Sequence, residues 1–277
     1  MDANFRLHRR FDRIGRLFGD VAMARLQQTH VVVIGLGGVG SLAAESLVRS
    51  GVGKVTLVDF DLVCVTNVNR QLQAMRGTVG KPKASVLAER LRKVNPAAEI
   101  KAVPLFYEAR LADRMLSTAD WVVDAIDNLT AKAHLVAECR ARAIPMVVST
   151  GASGRMDPTR IRITDLNRTT VDPLAASLRK ILRQKHGFPR GKSKWHIPAV
   201  FSDETLASPV SLRYDGDTGF DCVCPNGDND VHTCEDRNVI WGTAGFVTGA
   251  FGLACASVVV RGIVANDPLA AVSKGPG

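Results

Sequence analysis

His30-Val31-Val32-Val33-Ile34-Gly35-Leu36-Gly37-Gly38-Val39-Gly40 is the stretch from which the fold can be read. Its β-branched run makes a buried strand, and the run breaks at Gly35. Gly35, Gly37 and Gly40 then fit G-x-G-x-x-G, with Gly38 as a further glycine in the turn. Residues 39–50 take helical spacing, and Gly51 and Gly53 punctuate the end. A strand, a glycine turn and a helix in that order bring backbone N–H groups and the positive end of a helix dipole to one point. Phosphate oxygens can approach there. Residues 54–59 read as a second strand that ends at Asp59, placed to accept hydrogen bonds from ribose hydroxyls.

Working outward, 99–103, 121–124 and 146–150 read as further strands, with 111–115 and 132–142 as helices among them. Pro82 opens a helix whose Leu87, Leu91 and Val94 share a face, and Asn95-Pro96 ends it. This rhythm predicts an α/β fold, a Rossmann-like and mostly parallel sheet with helices on both faces. Beyond residue 150, the alternation at Ile161 and Ile163 suggests antiparallel additions, and Asp172-Pro173 caps a helix running to about Lys185. The arrangement expected over 1–277 is one domain. It has a helical arm (1–28), a nucleotide-binding core (29–150), and an antiparallel extension, basic crossover loop and C-terminal helix (151–265).

Residues 238–260 contain no charged side chain, a length that could span a bilayer. Gly242, Gly245, Gly249 and Gly252 fall on one stripe of that helix, which lets another backbone approach closely. A buried helix against the sheet is the reading adopted, since a membrane span would strip the α/β unit of a layer. Membrane association through 238–260 is the alternative.

The net charge of +9 is concentrated. No acid lies between Asp172 and Asp203, an interval that holds Arg179, Lys180, Arg183, Lys185, Arg190, Lys192 and Lys194. Arg6, Arg9, Arg10, Arg13 and Arg16 form a second cluster. Two such segments fit either a solvated basic face or a polyanionic partner such as nucleic acid. Residues 186–193 read as an exposed, mobile loop. With 46% hydrophobic residues the chain can bury a core, which excludes a disordered or coiled-coil protein. Six cysteines without a paired framework do not describe a disulfide-stapled module, and Met1 to Asp12 has no apolar signal-peptide core. A cytoplasmic protein is expected.

Past Asp59 come Asp59-Phe60-Asp61, Asn67-Val68-Asn69-Arg70-Gln71 and Gly80-Lys81-Pro82-Lys83. Arg70 and Lys83 would face the phosphates of a nucleotide in the glycine cradle, an arrangement suited to a departing pyrophosphate and not to hydride transfer. Asp124-Ala125-Ile126-Asp127-Asn128 closes the fourth strand at its carboxyl edge. Asp127 is the candidate ligand for Mg²⁺ against the phosphates, and Asp124 reads as a strand-end or capping carboxylate. Cys222, Cys224 and Cys234 are irregularly spaced, a weak zinc signal against ordinary loop thiols or a disulfide. Cys64, Cys139 and Cys255 sit among apolar residues and read as core.

These five motifs, in this order, resemble the adenylation domain of the ubiquitin-activating (E1-like) enzymes, a family that includes activators of sulfur-carrier proteins. The resemblance spans nearly the whole chain. It implies ATP and Mg²⁺ as cofactors and a nucleotide site formed by Gly35, Gly37, Gly38, Gly40, Asp59, Asp61, Asn67, Asn69, Arg70, Gln71, Lys83 and Asn128. It also implies a homodimer in which Arg13 enters the partner subunit's ATP site. No cysteine lies between Cys139 and Cys222, where thioester-forming members carry their nucleophile, and the paired C-x-x-C zinc motifs are absent. Arg10 to Gly19, Asp157 to Leu178 and Val200 to Glu204 look like one branch, the tRNA threonylcarbamoyladenosine dehydratases. That likeness implies tRNA carrying threonylcarbamoyladenosine as partner, with the basic residues 179–194 on its backbone and no role for DNA. It leaves room for a sulfur-transfer or redox partner protein. The rival readings are adenylation of a small ubiquitin-like carrier at its C-terminal glycine, an NAD-dependent oxidoreductase, and a non-enzymatic RNA- or membrane-binding module.

Overall fold

The computed structural model describes residues 7–212 and 241–270. Seven strands form one sheet: β1 (His30–Ile34), β2 (Lys54–Val58), β3 (Glu99–Val103), β4 (Trp121–Asp124), β5 (Met146–Ser149), β6 (Ile161–Asp165) and β7 (Pro198–Ser202). Their order is β3-β2-β1-β4-β5-β7-β6. All neighbours are parallel except β6, which pairs antiparallel to β7. The direction of winding reverses between β1 and β4, and this is the crevice where open α/β sheets bind ligands.

Successive strand residues point to opposite faces, so each strand feeds two cores. Val31 and Val33 pack with α1 (Asp12–Gln28), α2 (Gly38–Arg49), α3 (Lys83–Val94) and α7 (Gly245–Ala265), through Met23, Leu47, Leu87 and Phe251. Val32 and Ile34 pack with α4 (Ala112–Leu116), α5 (Leu129–Ala141) and α6 (Pro173–Lys185), through Leu116, Leu135 and Leu182. Layers on both faces, with an antiparallel strand at one edge, are the predicted architecture.

Helix α7 is long and apolar enough to cross a membrane by composition, with a mean hydropathy of 1.8, yet 61% of that window is buried inside the protein. It lies directly on α2. A Cβ at Gly252 would overlap the Val39 carbonyl and sit 2.9 Å from the Leu42 Cβ. The predicted glycine stripe is shorter than expected: Gly242 precedes the helix, and its carbonyl accepts a hydrogen bond from the Gly154 N–H at 2.8 Å. A glycine outside a helix can satisfy helical spacing by coincidence, and Gly242 does so here.

Candidate active site

The glycine turn is shaped by contact as well as by conformation. Gly35 has a left-handed φ of +86°, and a Cβ there would lie 2.5 Å from the Ala125 carbonyl oxygen. A side chain at Gly40 would overlap the Gly35 carbonyl. At Gly38 a Cβ would meet Thr248 Oγ1 at 2.6 Å and Arg70 Cγ at 3.2 Å. Gly37 is different: Gln71 Nε2, at 4.0 Å, is the nearest atom, so this side of the turn is open. The open side faces the first turn of α2, whose N–H groups favour an anion. The cradle's floor is therefore Ala125, just past the end of β4, its wall is α7, and Arg70 stands beside it.

Behind the cradle lies a chain of charged groups. Asp59 Oδ2 accepts from the Leu36 N–H at 2.6 Å, and its Oδ1 accepts from the Asp61 N–H at 2.8 Å. Burial pushes the Asp59 carboxyl upward, and the nearby Lys83 ammonium opposes that. Lys83, only 6% exposed, donates to Asp61 Oδ2 at 2.7 Å. Burial would lower its pKa, but Asp59, Asp61 and the nearby Asp127 outweigh it and raise the ammonium above the ordinary lysine value. Lys83 is thus held charged, between three carboxylates. Asp127 stands exposed at the mouth of the crevice.

The motif following Asp61 divides its labour. Asn67 is buried, and its Oδ1 accepts from the Cys64 N–H at 3.0 Å, capping a short turn. Asn69 donates to the Thr243 carbonyl at 2.8 Å and accepts from Arg70, which also donates to the Thr66 carbonyl. Gln73, fully buried, donates to the Leu36 carbonyl at 2.6 Å and to Gln71 Oε1 at 3.3 Å, so it orients Gln71 toward the cradle. Asn128 caps α5, accepting from the Ala131 N–H at 3.0 Å. Sequence reading missed Gln73 and Thr248, neither of which has a motif spacing to announce it. It also missed the partner of Asp124. Asp124 is a strand-end carboxylate as expected, and it is ion-paired at 2.9 Å to Lys132, with both side chains fully buried.

The basic segment is more anchored and less uniform than its sequence suggests. Phe188 and Trp195 are buried and meet edge to face, with ring centroids 4.8 Å apart, and the Arg140 guanidinium lies over the Phe188 ring. Asn167 donates to the Gly191 and Ser193 carbonyls, tying down the loop between them. Arg179 and Arg183 turn inward: Arg179 donates to Thr169 Oγ1, and Arg183 donates to Asn167 Oδ1 at 2.5 Å and lies over Trp195. Over 187–193 the loop is exposed as expected except at Phe188, which is buried against Trp195 and anchors it. Lys180, Lys185, Arg190, Lys192 and Lys194 remain exposed. Arg13 is exposed on α1, while its neighbours are engaged: Arg10 donates to the Val94 carbonyl and Arg16 pairs with Asp12. Cys139 and Cys255 are core thiols, each pushed up to about 12 by burial, and Cys64 is buried as well. Cys222, Cys224 and Cys234 lie outside the described residues.

Comparison with known proteins adds an independent line. The ThiF family model matches residues 11–273. The tRNA threonylcarbamoyladenosine dehydratase of Haemophilus influenzae is 41% identical over 253 residues, covering 91% of this chain and 92% of that protein. The dehydratase of the same name from Escherichia coli is 40% identical over 259 residues, covering 93% and 94%. A crystal structure of the E. coli dehydratase in complex with ATP superposes with a TM-score of 0.79 at 39% identity, over 93% of this chain and 94% of that one. On the family match over residues 11–273, the seven-stranded sheet and the glycine cradle at its crevice, the chain belongs to the ThiF family and carries the E1-like adenylation fold.

Proposed function

We propose that this protein is an ATP-dependent tRNA threonylcarbamoyladenosine dehydratase, which cyclises the threonylcarbamoyl side chain on adenosine 37 of tRNA through a carboxyl-adenylate. The observation that carries the reading is the pairing of an open glycine cradle with a buried Lys83 whose charged form is favoured by the carboxylates around it. The similarity to dehydratases over more than nine-tenths of the chain selects the substrate.

ATP is a substrate in this scheme. Its phosphates rest on the N–H groups of Gly37 to Gly40, and its ribose hydroxyls meet Asp59. Arg70 and Lys83 neutralise the phosphate tail, and Arg13 of the partner subunit in a homodimer completes the charge set. Mg²⁺ fits Asp127, an exposed hard oxygen donor beside Lys83. A cluster of three or more metal-ligating side chains is absent among the described residues, as suits an ion held mainly by phosphates and water. When bound, it would shield phosphate charge in the same way as the two cations.

The threonyl carboxylate attacks the α-phosphorus, the bond to the β-phosphate oxygen breaks, and pyrophosphate leaves. The neighbouring carbamoyl group then attacks the activated carbonyl, loses a proton, and expels AMP with the carboxylate's former oxygen. Ring closure needs no protein nucleophile, because a well-placed intramolecular attack is worth roughly 7–11 kcal/mol. That accords with the buried thiols, which at about 12 are protonated at neutral pH. The exposed Lys180, Lys185, Arg190, Lys192 and Lys194 supply a field for the tRNA backbone. A cytoplasmic location is part of this reading, supported by the tRNA substrate named for the relatives.

The test is mass analysis of nucleosides after incubating the protein with Mg·ATP and threonylcarbamoylated tRNA. The expected product has lost one water, with AMP and pyrophosphate released in equal amounts. Pyrophosphate exchange that depends on a small carrier protein and ignores the tRNA would point to carrier adenylation instead.

A further inference from the structure

The buried ion pair beneath the cradle has no part in the mechanism above. Asp124 ends β4, one residue before Ala125, whose carbonyl underlies Gly35. Its Oδ1 accepts from Lys132 Nζ at 2.9 Å and from the Ile126 N–H at 3.1 Å. The same ammonium donates to the Ile126 carbonyl at 2.9 Å. Both polar groups of residue 126 are therefore fixed by one ion pair, and residue 127 is the next in the chain.

Stability alone is a poor reason for such a pair. Both side chains are fully buried, desolvation of the two charges is costly, and apolar replacements of similar volume are often neutral or stabilising. Asp124 Oδ2 has no hydrogen-bond partner among the described residues, so the carboxylate is not fully repaid by its contacts. What the pair does secure is the direction of the chain between Ala125, which fits under the glycine turn, and Asp127 at the crevice mouth.

We infer that Lys132, with Asp124, is a positioning residue for the phosphate site: it clamps residue 126 so that Ala125 supports the glycine cradle and Asp127 faces the phosphate tail. Nucleotide contacts through Asp59 and the ribose do not run through this clamp. Loss of the clamp should therefore weaken ATP much more than AMP. The inference rests on the reading of the cradle as an ATP site. Calorimetry on the wild-type protein tests that reading first: if ATP and AMP both fail to bind, the site assignment fails and the clamp is not at issue.

The experiment compares Lys132→Met, Asp124→Asn and the double variant by thermal unfolding and by calorimetric binding of ATP and of AMP. Lys132→Met leaves a buried carboxylate without its cation, so it should melt lower. It should also bind ATP about tenfold or more weakly, with AMP changed less than about threefold. The double variant removes both charges, so its melting temperature should recover while ATP affinity stays low, because the Ile126 carbonyl is still not held. If Lys132→Met does not fold, the double variant carries the test alone. Recovery of stability and ATP affinity together would reduce the pair to a structural one and overturn the inference, as would a folded Lys132→Met protein with wild-type ATP affinity.

Discussion

The nucleotide crevice and the basic segment both concentrate charge, but they hold it in opposite ways. In the crevice, Asp59, Lys83, Asp124 and Lys132 are buried, and each makes hydrogen bonds of defined geometry. In the segment from α6 to β7, the exposed cations stand over a pinned frame and make no ion pair among the described residues. Buried charges act as individual bonds, because the surroundings do not screen them. Exposed charges act as a summed field that salt weakens. Single substitutions should therefore be severe and specific in the crevice, and small and cumulative in the segment.

The largest effects expected are those of Lys83→Ala and Asp127→Ala. Each should lower turnover by at least about a hundredfold, the scale of removing one charge-stabilising group. Circular dichroism should show an unchanged fold for Asp127→Ala, and turnover above a tenth of wild type would break the contrast. Gly40→Ala puts a Cβ into the Gly35 carbonyl, so the turn must open. We expect loss of measurable ATP binding, read by calorimetry; Gly37→Ala, whose Cβ meets no protein atom closely, should keep the fold but weaken ATP binding, because that open side is the space left for the phosphates.

Next in size is a buried pair that the proposed mechanism does not use. Arg155 and Asp172 are fully buried and paired at 3.1 Å, with Asp172 also accepting from Thr150, Gly151 and Ala175. Arg155→Met should destabilise the protein by about 3–5 kcal/mol in denaturant titration. A loss below about 1 kcal/mol, the level of a surface salt bridge, would contradict its placement.

The segment gives the smallest steps. Replacing Arg190, Lys192 or Lys194 singly by Ala should weaken tRNA binding only a few-fold and reduce the salt dependence by about one unit of slope each. Arg183→Ala should behave differently. Because Arg183 braces Asn167 and Trp195, its loss should lower the melting temperature while leaving the salt slope nearly unchanged. Equal slopes for Arg183→Ala and Lys192→Ala would mean that the inward-turned arginine also faces the RNA.

The same contrast explains what could be read from the chain. The cradle, Asp59 and the Lys83 helix were legible because their meaning lies in local order: strand, glycine turn, helix, strand-end carboxylate. Lys132 was not legible. Its eight-residue separation from Asp124 has meaning only once α5 folds back over the end of β4. The basic run was visible as charge, but the inward turn of Arg179 and Arg183 depends on Thr169, Asn167 and Trp195, which come from separate elements. Gly242 fitted a helical stripe in sequence and falls outside the helix in space.

The central claim is that the threonyl carboxylate becomes a mixed anhydride with the α-phosphate, and oxygen labelling tests it most directly. Threonylcarbamoylated tRNA carrying oxygen-18 in that carboxylate would be turned over with unlabelled ATP, and the released AMP examined by mass spectrometry. Attack on the α-phosphorus predicts one heavy oxygen in AMP and none in pyrophosphate. Unlabelled AMP beside cyclised product would contradict it.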